Sequence, residues 1–232
     1  MRLLTPFEFI QMFPEGKSLC IVGNAPSIKG QQLGSWIDSH DIVVRFNACS
    51  VRDHKEDVGS RTTILVTNPY PEGREKPEML GVENHTILVI NPQTRRGNLN
   101  EFEQWAGNAN VLFTYTSDLV GIKDTDHKAG FTMGTYAVYL LPRILCPSSV
   151  SITGFTMFLG NTFFHYWSFL RPKGLAAHDV EREAQIFINI CNNIRCPVEV
   201  TEDIEWIAKK TKITLRKKHM NIRKLPDGEW CK

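Results

Sequence analysis

Ser18-Leu19-Cys20-Ile21-Val22-Gly23-Asn24-Ala25-Pro26-Ser27 decides the fold class of this 232-residue chain. Apolar side chains on four consecutive positions, 19–22, read as a strand covered on both faces, and the strand runs directly into a Gly-Asn-Ala-Pro-Ser turn. That is the place of a first strand-to-helix turn, where α/β sheets receive nucleotides, although the glycine spacing is not that of a dinucleotide fingerprint. Working outward, short apolar runs recur at 42–46, 63–67, 86–90, 111–114, 150–153 and 198–200, and helical patterns fall at 98–106, 132–145, 179–193 and 203–210. Unbroken apolar strands predict a mostly parallel sheet, and the alternation with helices predicts a single doubly wound α/β domain over residues 1–208. Thr5-Pro6 starts a further short helix, N-cap and then proline at the first helical position, with Phe7, Ile10 and Phe13 on one side.

Composition sharpens this outline. A chain that is 42% hydrophobic and 22% charged is neither disordered nor fibrous and can bury a core. Its net charge of +2 is uneven, because eight of 27 basic residues (Lys209, Lys210, Lys212, Arg216, Lys217, Lys218, Arg223 and Lys224) crowd into 209–224, which contains no acid. The rest of the chain holds 19 basic against 25 acidic residues, so an acidic body precedes a basic segment, 209–232. With Ile213, Leu215, Met220, Ile222 and Leu225 interspersed, that segment reads either as a solvated tail or as a docking element for an anionic membrane surface. No apolar run approaches the roughly 20 residues of a membrane span, and residues 1–13 lack the apolar stretch of a signal peptide. Six dispersed cysteines without CxxC spacing fit neither a disulfide scaffold nor a metal site. The expectation is a cytoplasmic protein, peripheral at the membrane if the basic segment docks.

Several residues carry possible chemistry. Asn24 in the first turn and Asn47 at the end of the strand 42–46 place two amides at the carboxyl ends of neighbouring strands, where they serve a ribose or phosphate, or simply support the turns. The helix at 132–145 opens Thr132-Met133-Gly134-Thr135, where free backbone N–H groups receive an anion or Thr132 acts as an ordinary N-cap. His165 lies in an aromatic stretch, 160–177, that reads either as a lid over a site or as a loop packing its own rings. His178 stands at the start of the helix 179–193, as a neutral base or as a cap with Glu181. Glu183, five residues on, falls about 140° away on an ideal helix, which predicts no direct contact with His178. Asp124-Thr125-Asp126 has the DxD form of a divalent-metal site, and also the character of a solvated loop.

Taken together, the segments 20–27, 37–47 and 57–63 resemble the large sialylmotif of the animal-type sialyltransferase family. Thr132 to Cys146 and on to Ile152-Thr153-Gly154-Phe155 resembles its small motif, His165-Tyr166-Trp167 the third, and His178 with Glu183 the very small motif. The Gly-Asn-Ala-Pro-Ser turn is also similar to that of bacterial sialyltransferases of a separate family, which points to a microbial member. The resemblance implies a Rossmann-like fold, the sialyltransferase variant of the glycosyltransferase A class, with an aromatic lid loop. It further implies metal-independent, inverting transfer of a sialic acid from CMP to an acceptor glycan or glycolipid, with no cofactor and no nucleic-acid partner. Carried over by position, Asn24 and Asn47 hold CMP, Thr132 and Gly134 line the donor site, and Gly154 and Phe155 lie near the cytidine. His165 meets the leaving phosphate and His178 deprotonates the acceptor. Cys20 and Cys146 stand at about the places of the cysteines that animal members join. Thr-Met-Gly replaces the usual Ser/Thr-Ser/Thr-Gly, which keeps open a related nonulosonate or a CMP-3-deoxy-octulosonate donor. Two other readings are a metal-dependent nucleoside-diphosphate-sugar transferase using Asp124 and Asp126, and a nucleotide- or glycan-binding module without turnover.

Overall fold

The computed structural model describes residues 1–69, 86–90, 99–114, 131–160, 165–168, 178–216 and 220–225. In chain order they form β1 (Arg2–Leu3), α1 (Pro6–Gln11), β2 (Ser18–Val22), α2 (Gly34–Asp38), β3 (Ile42–Phe46), α3 (Lys55–Val58), β4 (Ile64–Thr67), β5 (Thr86–Ile90) and α4 (Leu99–Ala106). There follow β6 (Asn110–Thr114), α5 (Met133–Ile144), β7 (Ser149–Thr153), α6 (Val180–Asn192), β8 (Val198–Thr201), α7 (Glu202–Thr211) and β9 (Met220–Arg223). Among the described residues the strands make one sheet in the order β1-β6-β5-β4-β3-β2-β7-β8-β9, and every pairing is parallel. The chain winds outward from β2 through β3, β4, β5 and β6, then returns to β7 on the other side of β2. The strand order therefore reverses between β2 and β7, and a doubly wound sheet opens its binding crevice beyond the carboxyl ends at that point.

Both faces are covered, as the unbroken apolar strands require. Leu19, Ile21, Val44 and Ile152 point to a core roofed by α1, α5, α6 and α7, including Phe9, Leu141, Phe187 and Ile204. Cys20, Val22 and Val43 point the other way, against Ile28, Leu33, Ile37 and Val58 around α2 and α3, while α4 covers Leu65, Ile87 and Val111. Polar side chains hold the 30–61 segment together, one of them a buried arginine of β3. Arg45, 1% exposed, donates Nε to the Arg61 carbonyl at 2.9 Å and Nη2 to that of Val58. Asp57 accepts from the Gly30 and Gln32 N–H groups, and Asp38 from those of Ser60 and Arg61. Much of the long motif resembling the large sialylmotif thus holds the sheet's second face rather than a ligand.

Three local expectations change. In α1 the buried side is Phe9 with Phe13, whereas Phe7 is 67% exposed; these two rings are spaced i, i+4 and meet edge-on at 5.2 Å. Two strands escape the sequence pattern, the two-residue β1 and β9. The latter lies inside the basic segment, so part of 209–232 is integral to the sheet: Met220–Arg223 pairs with Val198–Thr201. Several of its cations face the acidic body. Lys209 approaches Glu205 at 3.2 Å, Lys224 approaches Glu202 at 2.8 Å, and Arg223 reaches Glu199 at 3.0 Å while lying over the Trp36 ring.

Candidate functional site

The two turns flanking the reversal of strand order are locked together. Gly23 donates to the Thr153 carbonyl and Ala25 to that of Gly154, both at 2.8 Å. Only glycine fits at residue 23, because a Cβ there would sit 2.1 Å from the Gly154 oxygen, and Gly154 itself adopts φ +74°. Asn24, between these bonds, donates Nδ2 to the Phe46 carbonyl at 2.9 Å and accepts the Tyr166 N–H on its own carbonyl at 3.1 Å. Its amide therefore serves the end of β3 directly. Asn47, one residue past β3, is held at φ +51°, with its N–H on Val66 and its Oδ1 3.4 Å from the Thr67 hydroxyl. Since β2 and β3 are parallel neighbours, residues 24 and 47 follow the carboxyl ends of adjacent strands.

Of the aromatic stretch 160–177, residues 160 and 165–168 are described, and the remainder of the expected lid, like Asp124 and Asp126, lies outside the described residues. His165 and Ser168 exchange backbone hydrogen bonds in a tight turn, and the His165 ring stacks on Trp167 at 4.7 Å. Burial holds the His165 pKa below its ordinary 6.5, partly offset by a hydrogen bond to the Asn24 backbone. Tyr166 buries its ring and donates its hydroxyl to the Ser50 carbonyl at 2.8 Å.

A second group of residues surrounds the start of α5. Thr132 is the N-cap, its hydroxyl 3.5 Å from the Thr135 N–H. An anion is already there: Glu183 Oε1 accepts from the Thr132 N–H at 2.7 Å, the Thr132 hydroxyl at 2.7 Å and the Thr135 hydroxyl at 2.6 Å. The other oxygen of Glu183 lies 3.5 Å from His178 Nδ1. This corrects the expectation that the two do not touch. The 140° argument assumed one continuous helix, but α6 begins at Val180 with Asp179 as its cap, bonded to the Arg182 N–H. His178 precedes the helix and folds back toward Glu183. Asp179 rather than His178 with Glu181 caps the helix.

Gly134 and Phe155 join the two groups. A Cβ at Gly134 would fall 2.6 Å from Phe155 Cε1, so glycine there makes room for that ring. The ring is core, between Phe46 at 5.9 Å and Phe187 at 5.1 Å. The backbone N–H groups of Gly154 and Phe155 are in turn held by Asp203, a residue the sequence reading placed only as a helix start. A signal existed for both buried acids. Asp203 shares a helix face with Ile204, Ile207 and Ala208, and Glu183 shares one with Ala184, Phe187 and Ile188, so each is a carboxylate within an apolar stripe. Cys20 and Cys146 do not pair. Cys20 is wholly buried on the sheet face opposite α5, whereas Cys146 lies in the loop after α5 and is exposed.

Hydrogen bonds thus connect Asn24 to the end of β3, to the His165–Ser168 turn and, through its neighbours Gly23 and Ala25, to the turn at Gly154, while Thr132 and His178 meet at Glu183. Residues 14–94 match the family model of glycosyltransferase family 29 (sialyltransferase). Over 71 residues the chain is 49% identical to a CMP-N-acetylneuraminate-beta-1,4-galactoside alpha-2,3-sialyltransferase of Homo sapiens, a match covering 30% of this chain and 18% of that protein. Over 59 residues it is 42% identical to the beta-galactoside alpha-2,6-sialyltransferase 2 of Xenopus tropicalis, covering 25% and 11%. The matches therefore span less than a fifth of these relatives' lengths. In fold, the crystal structure of a mammalian sialyltransferase aligns with 79% of this chain and 68% of its own, at 18% identity and a TM-score of 0.55. Residues 14–94 are accordingly similar to glycosyltransferase family 29, the sialyltransferases, and the chain shares the fold of a mammalian sialyltransferase over 79% of its length.

Proposed function

We propose that the chain transfers a sialic acid, or a related nonulosonate, from its CMP donor to an acceptor glycan hydroxyl with inversion. The observation that supports this most strongly is the placement of Asn24 and Asn47. Both lie inside the family-matching segment and stand at adjacent parallel strand ends beside the reversal of strand order, where a nucleotide is received.

Departure of CMP from a tertiary anomeric carbon leaves an oxocarbenium-like centre and puts negative charge on one phosphate. In this reading His165 meets that charge as a cation or through a ring N–H, a role that a metal would otherwise fill. On the acceptor side, a proton on His178 Nδ1, facing Glu183, leaves the Nε2 lone pair to take the acceptor hydroxyl proton. The acceptor oxygen bonds to the anomeric carbon as the bond to the phosphate breaks, CMP leaves with the electron pair, and Glu183 stabilises the imidazolium that forms. The assignment of the proton to Nδ1 follows from the carboxylate beside it rather than from an observed hydrogen.

A thermal-shift screen of CMP against UMP, UDP and GDP tests the donor. Selective stabilisation by CMP is expected, followed by EDTA-insensitive transfer from a CMP-sialic acid. Equal or greater stabilisation by UDP, with transfer abolished by EDTA, refutes the reading in favour of a metal-dependent nucleoside-diphosphate-sugar enzyme. Stabilisation by CMP with no CMP released from any CMP-sugar leaves a binding module.

A further inference from the structure

Asp203, the second residue of α7, is 1% exposed, and its carboxylate receives five hydrogen bonds. Oδ2 accepts from the Ser27 hydroxyl at 2.8 Å, the Gly154 N–H at 2.8 Å and the Phe155 N–H at 3.1 Å. Oδ1 accepts from the Thr201 hydroxyl at 2.5 Å and the Ile204 N–H at 2.9 Å. Burial pushes the carboxyl pKa up, and the bonds from Thr201, Ser27, Gly154 and Phe155 act against that rise. Successive N–H groups at a left-handed glycine form a concavity that binds anions. Here the concavity at Gly154 and Phe155 is filled by the protein's own carboxylate.

The two oxygens have different destinations. Oδ1 stays with the end of β8 and the first turn of α7. Oδ2 alone gathers the turn after β2, through Ser27, and the turn after β7, through Gly154 and Phe155. The bonds from Gly23 to Thr153 and from Ala25 to Gly154 complete the closure, and Asn24 lies between those two donors. We infer that Asp203 is a positioning residue for the nucleotide crevice, fixing Asn24 in place by tying both turns that flank the reversal of strand order to one oxygen atom. This rests on the reading of that crevice as the CMP site.

The division between the oxygens supplies the test, with Asp203 left in place because replacing it would strand five donors. Ser27→Ala removes one bond to Oδ2, and Thr201→Val removes one to Oδ1 together with the Thr201 hydroxyl's contacts to Thr153 Oγ1 at 2.9 Å and the Ile152 carbonyl at 3.4 Å. For each variant the CMP dissociation constant is measured by calorimetry well below its melting temperature, and the melting temperature by scanning. Both variants are expected to melt lower, while Ser27→Ala raises the dissociation constant roughly threefold to tenfold and Thr201→Val leaves it within about twofold. A dissociation constant unmoved by Ser27→Ala, or moved equally by both, overturns the inference and leaves Asp203 a core polar group. If the unaltered protein binds no CMP, the donor-site reading fails and takes this inference with it. If it binds CMP and Ser27→Ala does not matter, this inference alone fails.

Discussion

Replacing Glu183 separates its two tasks, because each carboxylate oxygen serves a different partner. Oε1 holds the start of α5 through three bonds of 2.6–2.7 Å, and Oε2 faces His178 at 3.5 Å. Glu183→Gln keeps a carbonyl oxygen where Oε1 stands, so the three donors remain satisfied and the cost is on the order of 1 kcal/mol for the lost charge. Glu183→Ala strands all three donors in a buried setting, and on the order of 3–5 kcal/mol is expected, less than a simple sum because the bonds share one atom. Catalysis should show the opposite economy. A glutamine amide donating toward His178 Nδ1 draws the ring into the tautomer with its proton on Nε2, which cannot accept a proton from a hydroxyl. Transfer should fall by roughly 10²–10⁴ in kcat, as when a carboxylate that fixes a catalytic histidine becomes an amide. Urea denaturation at neutral pH reads the first quantity, and CMP release from a CMP-sialic acid at saturating acceptor reads the second. A Glu183→Gln enzyme with near-normal kcat, or one as unstable as Glu183→Ala, refutes the assignment of the two oxygens.

Three further outcomes are expected. Gly134→Ala meets a phenylalanine ring edge that can shift, and should lower stability by about 1–3 kcal/mol, whereas Gly23→Ala meets the Gly154 backbone and should be worse; equal thermal melts would contradict this ranking. With a thiol-exchange reagent on the native protein, Cys146 should react at once, while Cys20, whose pKa burial pushes up to about 12, and the likewise buried Cys191 should react only on unfolding. Modification of Cys20 in the folded protein would place it differently from its position among Ile28, Leu33 and Ile37. Burial depresses the His165 pKa, so the unfolded chain takes up that proton first as the pH falls below the ordinary 6.5. The contribution to stability is therefore complete above 6.5 and declines below it, and His165→Gln should flatten that part of the stability-pH curve; an unchanged slope would show that His165 is not the titrating group.

What could be read beforehand follows from how far each feature reaches along the chain. Strands such as 18–22 and 42–46 announce themselves because a parallel strand buried on both faces must be apolar at every position, a local property. β9 does not, since an edge strand needs little burial, and Met-Asn-Ile-Arg inside a basic run carries no such signature. It pairs with β8, and Glu199 and Glu202, some 22 to 24 residues earlier, meet Arg223 and Lys224. The amides at residues 24 and 47 were legible for the same reason as the strands, because each ends an apolar run and parallel pairing then brings the two together. The acids that organise the site were visible only as anomalies: Glu183 and Asp203 sit in the apolar stripes of their helices, and a charge in a stripe must find donors elsewhere. Which donors they find was beyond local reasoning, for Asp203 reaches Ser27 across 176 residues of chain. The residues resembling a motif are thus of two kinds. Asn24 and Asn47 follow adjacent strand ends and His178 meets a buried carboxylate, whereas Arg45, Asp57, Arg61 and Gly134 are constrained by the backbone and rings they fit. Only coordinates divide them, since a motif records the constraint without its cause.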